Sequence, residues 1–120
     1  MEFRIKDARP IWQQLAEQLR QRIVTGVYPP GGRFPSVREL AGEAGVNPNT
    51  MQRAIAQLEN DGLLVTNRTA GRNITEDADV IERMRAQLAG ELAAEYAEDM
   101  GKLGYSRSEA AAFLTKGVTT

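Results

Sequence analysis

Apolar residues near the start of the chain recur every four positions, at Ile11, Leu15, Leu19 and Ile23. This period predicts an amphipathic helix from about Pro10 to Thr25. Pro10 suits the first helical turn, and Gly26 suits the position just after the helix ends. The segment 28–32 contains two prolines and two glycines, a composition typical of a turn.

Two further helices are predicted close together. Ser36 and Glu39 have the spacing of a capping box and begin a short helix that ends at Gly45. Asn47 caps the next helix, which starts on a proline and runs to about Asn60. The two helices are therefore joined by a tight turn that contains a glycine.

A hairpin follows these helices. Segments 63–66 and 72–75 predict strands, and the polar segment 67–71 predicts the turn between them. Three helices and then a two-stranded hairpin, in this order, are typical of a winged helix-turn-helix. We therefore predict a mainly α fold, with a winged helix-turn-helix DNA-binding domain over residues 1–75 and a two-helix C-terminal dimerisation segment over residues 76–120.

The C-terminal segment has a long apolar stripe at helical spacing, which continues to Leu103 and stops at Gly104. A stripe this apolar is rarely left exposed on a small protein, so we expect it to be buried against a second copy in a twofold dimer. The predicted interface residues are Ile81, Met84, Leu88, Leu92, Tyr96 and Met100. The alternative is that they form the core of a compact monomer.

The aromatic residues of this segment allow one more hypothesis. A cavity for a small apolar effector would be lined by Tyr96, Met100, Tyr105 and Phe113, although such residues are more often plain packing. A last short helix, beginning at Ser106, would cover part of the stripe.

Composition narrows the class of function. The chain has no cysteine and no histidine, so it lacks thiolate chemistry, the commonest metal ligand and the usual general base. We expect no enzyme, no cofactor and no metal site; a metal-sensing regulator would depend on the acidic residues Glu76, Asp77 and Asp79, which bind hard ions weakly without more ligands. The charged N-terminal segment is unlike a signal peptide, and no apolar run has transmembrane length, so we expect a cytoplasmic protein without a membrane partner.

Charge is distributed unevenly. Residues 1–75 contain ten Lys and Arg against seven Asp and Glu, a net charge of +3. Residues 76–120 contain five against nine, a net charge of −4. A basic first part suits nucleic acid more than the total charge of −1 suggests.

The outer face of the third predicted helix points to DNA. Asn49, Gln52 and Arg53 lie there, opposite the apolar face. The two amides match adenine in the major groove, and Arg53 matches guanine or a phosphate. Thr50 is placed to reach a phosphate. A merely solvated face would contain more Glu and Lys, and a winged helix that binds protein would present an apolar or acidic face.

Residues around this helix extend the candidate interface. Arg38 is a candidate phosphate contact, and the alternative is an ion pair with a nearby carboxylate such as Glu39 or Glu43. Arg68 and Arg72 flank the hairpin tip, and Gly71 allows the backbone to approach a groove closely. The alternative for the tip is a solvated loop.

The segments Phe34–Ala41, Gly45–Thr50 and Leu58–Leu63 resemble the GntR family of bacterial regulators, within a match from about Pro10 to Thr75. The short tail resembles the YtrA-type subfamily, which lacks a large effector domain. The resemblance implies a dimeric, sequence-specific transcription regulator on double-stranded palindromic operator DNA, usually a repressor and often of a transporter operon. The alternative is a winged-helix protein-interaction module without sequence-specific DNA binding.

The resemblance also implies which residues contact DNA. Carried over position by position, they are Ser36, Arg38, Asn47, Asn49, Thr50, Gln52 and Gly71. Many family members have arginine where this chain has Pro48 and Gln52. The amide-rich face therefore predicts a half-site that contains adenine.

Overall fold

The computed structural model describes residues 2–69 and 71–116. Within them the elements follow the predicted order of three helices, a hairpin and two helices. Their bounds are α1 Ile11–Val24, α2 Val37–Ala44, α3 Pro48–Asn60, β1 Leu64–Asn67, β2 Gly71–Ile74, α4 Ala78–Lys102 and α5 Arg107–Lys116. The chain divides into two compact units between Arg85 and Ala86, inside α4.

The core of the first unit forms where α1 packs on α3. The repeating apolar positions of α1 are buried from Leu15 onward, whereas Ile11 in the first turn stays 44% exposed. From α3 come the fully buried side chains of Met51, Ile55 and Leu58. Helix periodicity alone therefore predicted the contact surface of both helices.

The helix-turn-helix is built by local capping. The Ser36 hydroxyl accepts a hydrogen bond from the Glu39 N–H at 3.1 Å and starts α2. Gly45 ends α2 in the left-handed conformation, with φ 68°. The Asn47 side chain then accepts from the Asn49 N–H at 2.7 Å and starts α3. The predicted helix starts are confirmed because each depends on nearest neighbours in sequence.

The hairpin differs from the prediction by one residue at each strand. β1 and β2 pair antiparallel from Leu64 opposite Ile74 to Asn67 opposite Gly71. Leu63 lies just before β1, fully buried, because its apolar side chain fills the core. The predicted turn residue Ala70 lies outside the described residues.

A third segment lies beside the hairpin, which the sequence did not predict. The Phe34 N–H donates to the Arg72 carbonyl at 2.8 Å, and the Ile74 N–H donates to the Gly32 carbonyl at 2.8 Å. Arg33 forms an isolated antiparallel bridge with Asn73. These bonds fix the wing beside the segment that leads into α2.

The N-terminal segment is held by a glutamine. Gln14 on α1 is completely buried. Its side-chain oxygen accepts from the Lys6 N–H at 2.9 Å, and its amide donates to the carbonyls of Asp7 and Arg9. A buried amide must satisfy its hydrogen bonds inside the protein, so Gln14 fixes the chain that precedes α1.

A buried arginine joins α1 to α2. Arg22 is only 4% exposed, and it pairs with Glu43 of α2 and donates to the Tyr28 hydroxyl. Its guanidinium also stacks over the Phe3 ring, 4.0 Å from the centroid. Burial opposes the charge of Arg22, but the hydrogen bonds with Glu43 and Tyr28 outweigh it and raise the pKa of the guanidinium.

In the second unit a glycine follows two residues after the end of α4, and α5 begins with a capping box. Gly104 has φ 92°. Ser106 and Glu109 then exchange backbone-to-side-chain hydrogen bonds of 2.9 and 3.1 Å. The Tyr96 hydroxyl donates to the Ala110 carbonyl at 2.7 Å and links α4 to α5. In the described part of the chain, no helix combines the length and apolar character needed to cross a bilayer.

Candidate nucleic-acid interface

The exposed side of α3 matches the predicted arrangement. Asn49, Gln52 and Arg53 are exposed, whereas Met51, which lies between Asn49 and Gln52 in sequence, is completely buried, as are Ala54 and Ile55. We call the exposed set Asn49, Gln52 and Arg53 the reading face. Its two amides present both donors and acceptors to whatever lies against the helix.

Arg53 differs from the two amides in one respect. Its guanidinium carbon lies 4.4 Å from the centroid of the Trp12 ring on α1. The side chain is therefore turned toward α1 at the border of the reading face. No local sequence pattern predicts this contact, because Trp12 and Arg53 are far apart in sequence.

Four of the predicted contact residues, Ser36, Arg38, Gly71 and Arg72, meet in one cleft between the start of α2 and the wing. The cleft has a volume of about 320 Å³. It is lined by Arg33, Phe34, Pro35, Ser36, Val37, Arg38, Gly71 and Arg72. The backbone bonds between the segment before α2 and β2 bring Gly71 next to Ser36 and Arg38.

Arg38 is exposed at the edge of this cleft. The glutamates that offered an alternative ion pair are occupied, because Glu39 pairs with Arg33 at 3.1 Å and Glu43 pairs with Arg22. Among the described residues, no carboxylate lies within the 4.0 Å of an ion pair from Arg38. Its guanidinium thus remains available to a phosphate.

Glu39 stabilises the start of α2. The Arg33 guanidinium lowers the pKa of the Glu39 carboxyl, and hydrogen bonds from the backbone and side chain of Ser36 lower it further. The carboxylate at the first turn of α2 also complements the helix dipole. The predicted capping box is therefore confirmed.

The two arginines of the wing have different surroundings. Arg68 at the tip is exposed. Arg72 is half-buried, and its Nε lies 3.4 Å from a carboxylate oxygen of Glu59 on α3. This Nε is buried without a hydrogen bond, so the pair is an electrostatic contact with poor hydrogen-bond geometry. Arg72 thus joins the wing to α3, and Arg68 is the wing cation open to a partner.

Two more predicted contact residues adjoin the start of α3. Asn47 uses its side-chain oxygen for capping, and Thr50 is half-buried beside it.

Gly71 adopts φ 77°, and a Cβ added there would meet no atom within 4 Å. The wing backbone at Gly71 is therefore open to close approach.

No three acidic, histidine or cysteine side chains in residues 2–69 and 71–116 are grouped to hold a metal ion. The described polar groups on this surface are instead amides, a hydroxyl and arginines. These are groups with which proteins contact phosphates and base edges. Three helices, the third of which presents amides on its exposed side, and a paired wing define a winged helix-turn-helix protein.

The family follows from the sequence comparison. The profile described as "Bacterial regulatory proteins, gntR family" matches residues 11–74. This chain therefore belongs to the GntR family. The predicted resemblance is confirmed, and the members of this family are transcriptional regulators rather than enzymes.

Two curated relatives come from Bacillus subtilis. The HTH-type transcriptional regulator YhcF is 34% identical over 120 residues, which span 100% of this chain and 96% of the relative. The HTH-type transcriptional repressor YtrA is 38% identical over 73 residues, which span 61% of this chain and 56% of the relative. The similarity to YhcF extends through the tail, whereas the similarity to YtrA covers little more than half of YtrA.

Solved structures support the fold. A GntR family transcriptional regulator from Listeria monocytogenes has a TM-score of 0.84 at 37% identity, over 95% of this chain and 100% of that one. The DNA-binding domain of AraR, in complex with operator ORE1, has a TM-score of 0.54 at 25% identity, over 62% of this chain and 94% of that one. The predicted fold class is confirmed.

Proposed function

We propose that this chain is a dimeric transcription repressor that binds a palindromic operator in double-stranded DNA. The observation that supports the proposal most strongly is the reading face on the helix that follows the tight turn. It presents a cation and two side-chain amides that make no hydrogen bond with other described residues. A family relative bound to operator DNA, AraR, has the same fold. A repressor of this kind acts in the cytoplasm on the chromosome, and a transporter operon is the target that the family resemblance implies.

The proposed roles divide between base reading and positioning. Asn49 and Gln52 form paired hydrogen bonds with adenine edges in the major groove. Arg38 and Arg68 bind phosphates, which gives affinity without sequence preference. Ser36, Asn47 and Thr50 lie at the helix starts, where backbone phosphates are commonly bound.

The wing adds a backbone contact in this proposal. Gly71 has no side chain, its surroundings are open and its φ is positive. The DNA backbone can therefore approach it closely. Arg72 supports the wing through Glu59.

A protein-binding winged helix is the competing function. Such a surface needs an apolar or acidic centre, because interfaces between proteins bury aromatic and aliphatic anchors. The exposed side of α3 has amides and an arginine there instead. This composition favours nucleic acid.

The dimer proposal depends on the tail. Along α4 the first-unit residues Ile81 and Met84 are half-buried and buried, respectively. In the second unit Leu92, Leu103 and Leu114 are 57%, 73% and 64% exposed. Exposed leucines on so small a unit favour a further protein surface against them, and a second copy gives the twofold symmetry of a palindrome.

A small-molecule effector has weaker support. Two of its candidate lining residues, Tyr105 and Phe113, pack edge to face with centroids 5.0 Å apart. A third, Tyr96, is bonded through its hydroxyl to Ala110. These contacts are ordinary packing within the second unit.

Selection of bound sequences from random duplex DNA tests the proposal. We expect an enriched palindrome with half-sites about 34 Å apart, one turn of DNA. A pool that shows binding but no enriched sequence would contradict sequence-specific recognition. A pool that shows no binding at all would favour the protein-binding alternative.

A further inference from the structure

The contact between Trp12 and Arg53 joins α1 to the reading face. A cation within about 6 Å of an aromatic centroid is attracted by the ring, and tryptophan attracts it best. The observed 4.4 Å lies well inside that limit. Trp12 is half-buried on α1, so its ring has little freedom to move away, whereas Arg53 is exposed.

The contact with Trp12 leaves the N–H groups of the Arg53 guanidinium without a carboxylate partner among the described residues. Within the described residues no carboxylate or carbonyl accepts a hydrogen bond from Arg53. Arg20 of α1 is different, because both its Nε and Nη2 donate to Asp61. Arg53 is therefore oriented by a ring while its N–H edge remains open, and a planar edge of this kind matches two oxygens of a phosphate.

We propose that Trp12 is a positioning residue that holds Arg53 for a backbone phosphate at the border of the bound groove. The Trp12 contact holds the Arg53 guanidinium on the side of α3 that packs against α1. Because contacts to phosphate oxygens fix the register of a protein on the duplex, we assign Arg53 to the sugar–phosphate strand. The inference depends on the proposed DNA binding and assigns Arg53 to affinity, not to sequence reading.

Binding of the full chain to two duplexes of equal length tests this role. One duplex has the most enriched sequence from the selection, and the other has random sequence. We expect Arg53→Ala to weaken both to a similar degree and to reduce the slope of log K against log salt by about 0.9 per half-site. A loss confined to the enriched duplex would assign Arg53 to base reading and overturn the proposal.

Substitutions of Trp12 separate positioning from packing. Trp12→Leu keeps an apolar side chain but removes the ring, and we expect about two- to fivefold weaker binding per half-site. Trp12→Phe keeps a ring and should restore most of the affinity. In an Arg53→Ala background Trp12→Leu should have no further effect on binding. Equal effects in both backgrounds would show that Trp12 acts only through folding.

Fluorescence provides a readout that does not depend on DNA. Trp12 is the only tryptophan of the chain, so its emission reports the stack directly. Arg53→Ala should shift the emission of the free protein, while Arg107→Ala, which removes an exposed arginine of α5, should not. Identical spectra of wild type and Arg53→Ala would overturn the contact, whereas a shifted spectrum without DNA binding would count against the proposed function alone.

Discussion

Three predicted DNA-contact residues also shape the backbone. Ser36 and Asn47 cap α2 and α3 through their side chains, and Gly71 has a positive φ in the wing. A substitution at any of them changes stability as well as binding. Arg38 has no such second task among the described contacts, so it gives the clearest single-residue test of phosphate binding.

Arg38→Ala should weaken binding to every duplex by a similar factor. Loss of one phosphate contact lowers the salt slope by about 0.9 per half-site. Titration at several salt concentrations measures this slope. Arg85→Ala is the matched control, since Arg85 is an exposed arginine of α4 that pairs with Glu82 of the same helix. An unchanged slope in Arg38→Ala would exclude the phosphate contact.

The lowered pKa of Glu39 predicts that the stability of the folded protein decreases in acid. Its pKa in the folded protein is lowered by Arg33 and Ser36 from the ordinary value of 4.5. The stabilisation by the ionised Glu39 carboxylate is therefore fully present above pH 4.5. It is lost as the pH falls through the lowered pKa of the folded protein. Thermal unfolding of Glu39→Gln should show a shallower loss of stability in acid than wild type. Glu95→Gln on α4 is the control, and equal acid profiles for all three proteins would contradict this role.

At the scale of elements, two glycines of the helix-turn-helix have opposite effects. Gly42 lies inside α2, where Gly→Ala substitution stabilises a helix by about 0.5–1 kcal/mol. Gly45 follows α2 at φ 68°, where a side chain costs about 1 kcal/mol or more. An added Cβ meets nothing within 4 Å at either position, so only backbone conformation differs.

Denaturant unfolding of Gly42→Ala and Gly45→Ala measures this difference. We expect the free energy of unfolding to rise in Gly42→Ala and to fall in Gly45→Ala. The same sign for both substitutions would contradict the assigned conformation of the turn.

The elements show where sequence patterns suffice. Helix bounds were predicted because caps such as Ser36 and Asn47 act within three residues of themselves. The strands were displaced by one residue because Leu63, apolar like a strand residue, belongs to the core. The pairing of Phe34 with Arg72 depends on residues far apart in sequence, which no local period reveals.

The candidate site shows the same division. The reading face followed from helix periodicity, since Asn49 and Gln52 lie opposite the apolar positions of α3. The stack of Arg53 on Trp12 and the ion pair of Arg72 with Glu59 were not predictable, because tertiary packing alone brings these side chains together. The sequence therefore predicts the surface but not the side-chain contacts that orient its arginines.

For the whole molecule, dimerisation should decide affinity. Residues 1–75 have a net charge of only +3, so one copy makes few phosphate contacts. Two copies on one operator double the number of these contacts. We therefore propose that the tail contributes to DNA binding through assembly of the dimer.

Leu92→Glu tests the dimer. Leu92 is exposed on α4, and a charge there should separate the copies and weaken operator binding. Ala94→Glu is the control. Ala94 is also exposed, but it lies two residues after Leu92, so its side chain points to nearly the opposite side of the helix. Sedimentation measures the state of assembly. A wild-type monomer at micromolar concentration, or equal behaviour of both variants, would contradict the predicted interface.

The central claim is that the exposed amides of α3 read DNA sequence. Parallel selection from random duplex DNA with wild type and Gln52→Ala tests it most directly. We expect wild type to enrich a palindrome, and Gln52→Ala to lose about 1–3 kcal/mol of base preference at one symmetric position in each half-site while it keeps the rest. Identical base preferences for the two proteins would contradict the claim that Gln52 reads sequence, and the absence of any enriched palindrome with wild type would contradict the account as a whole.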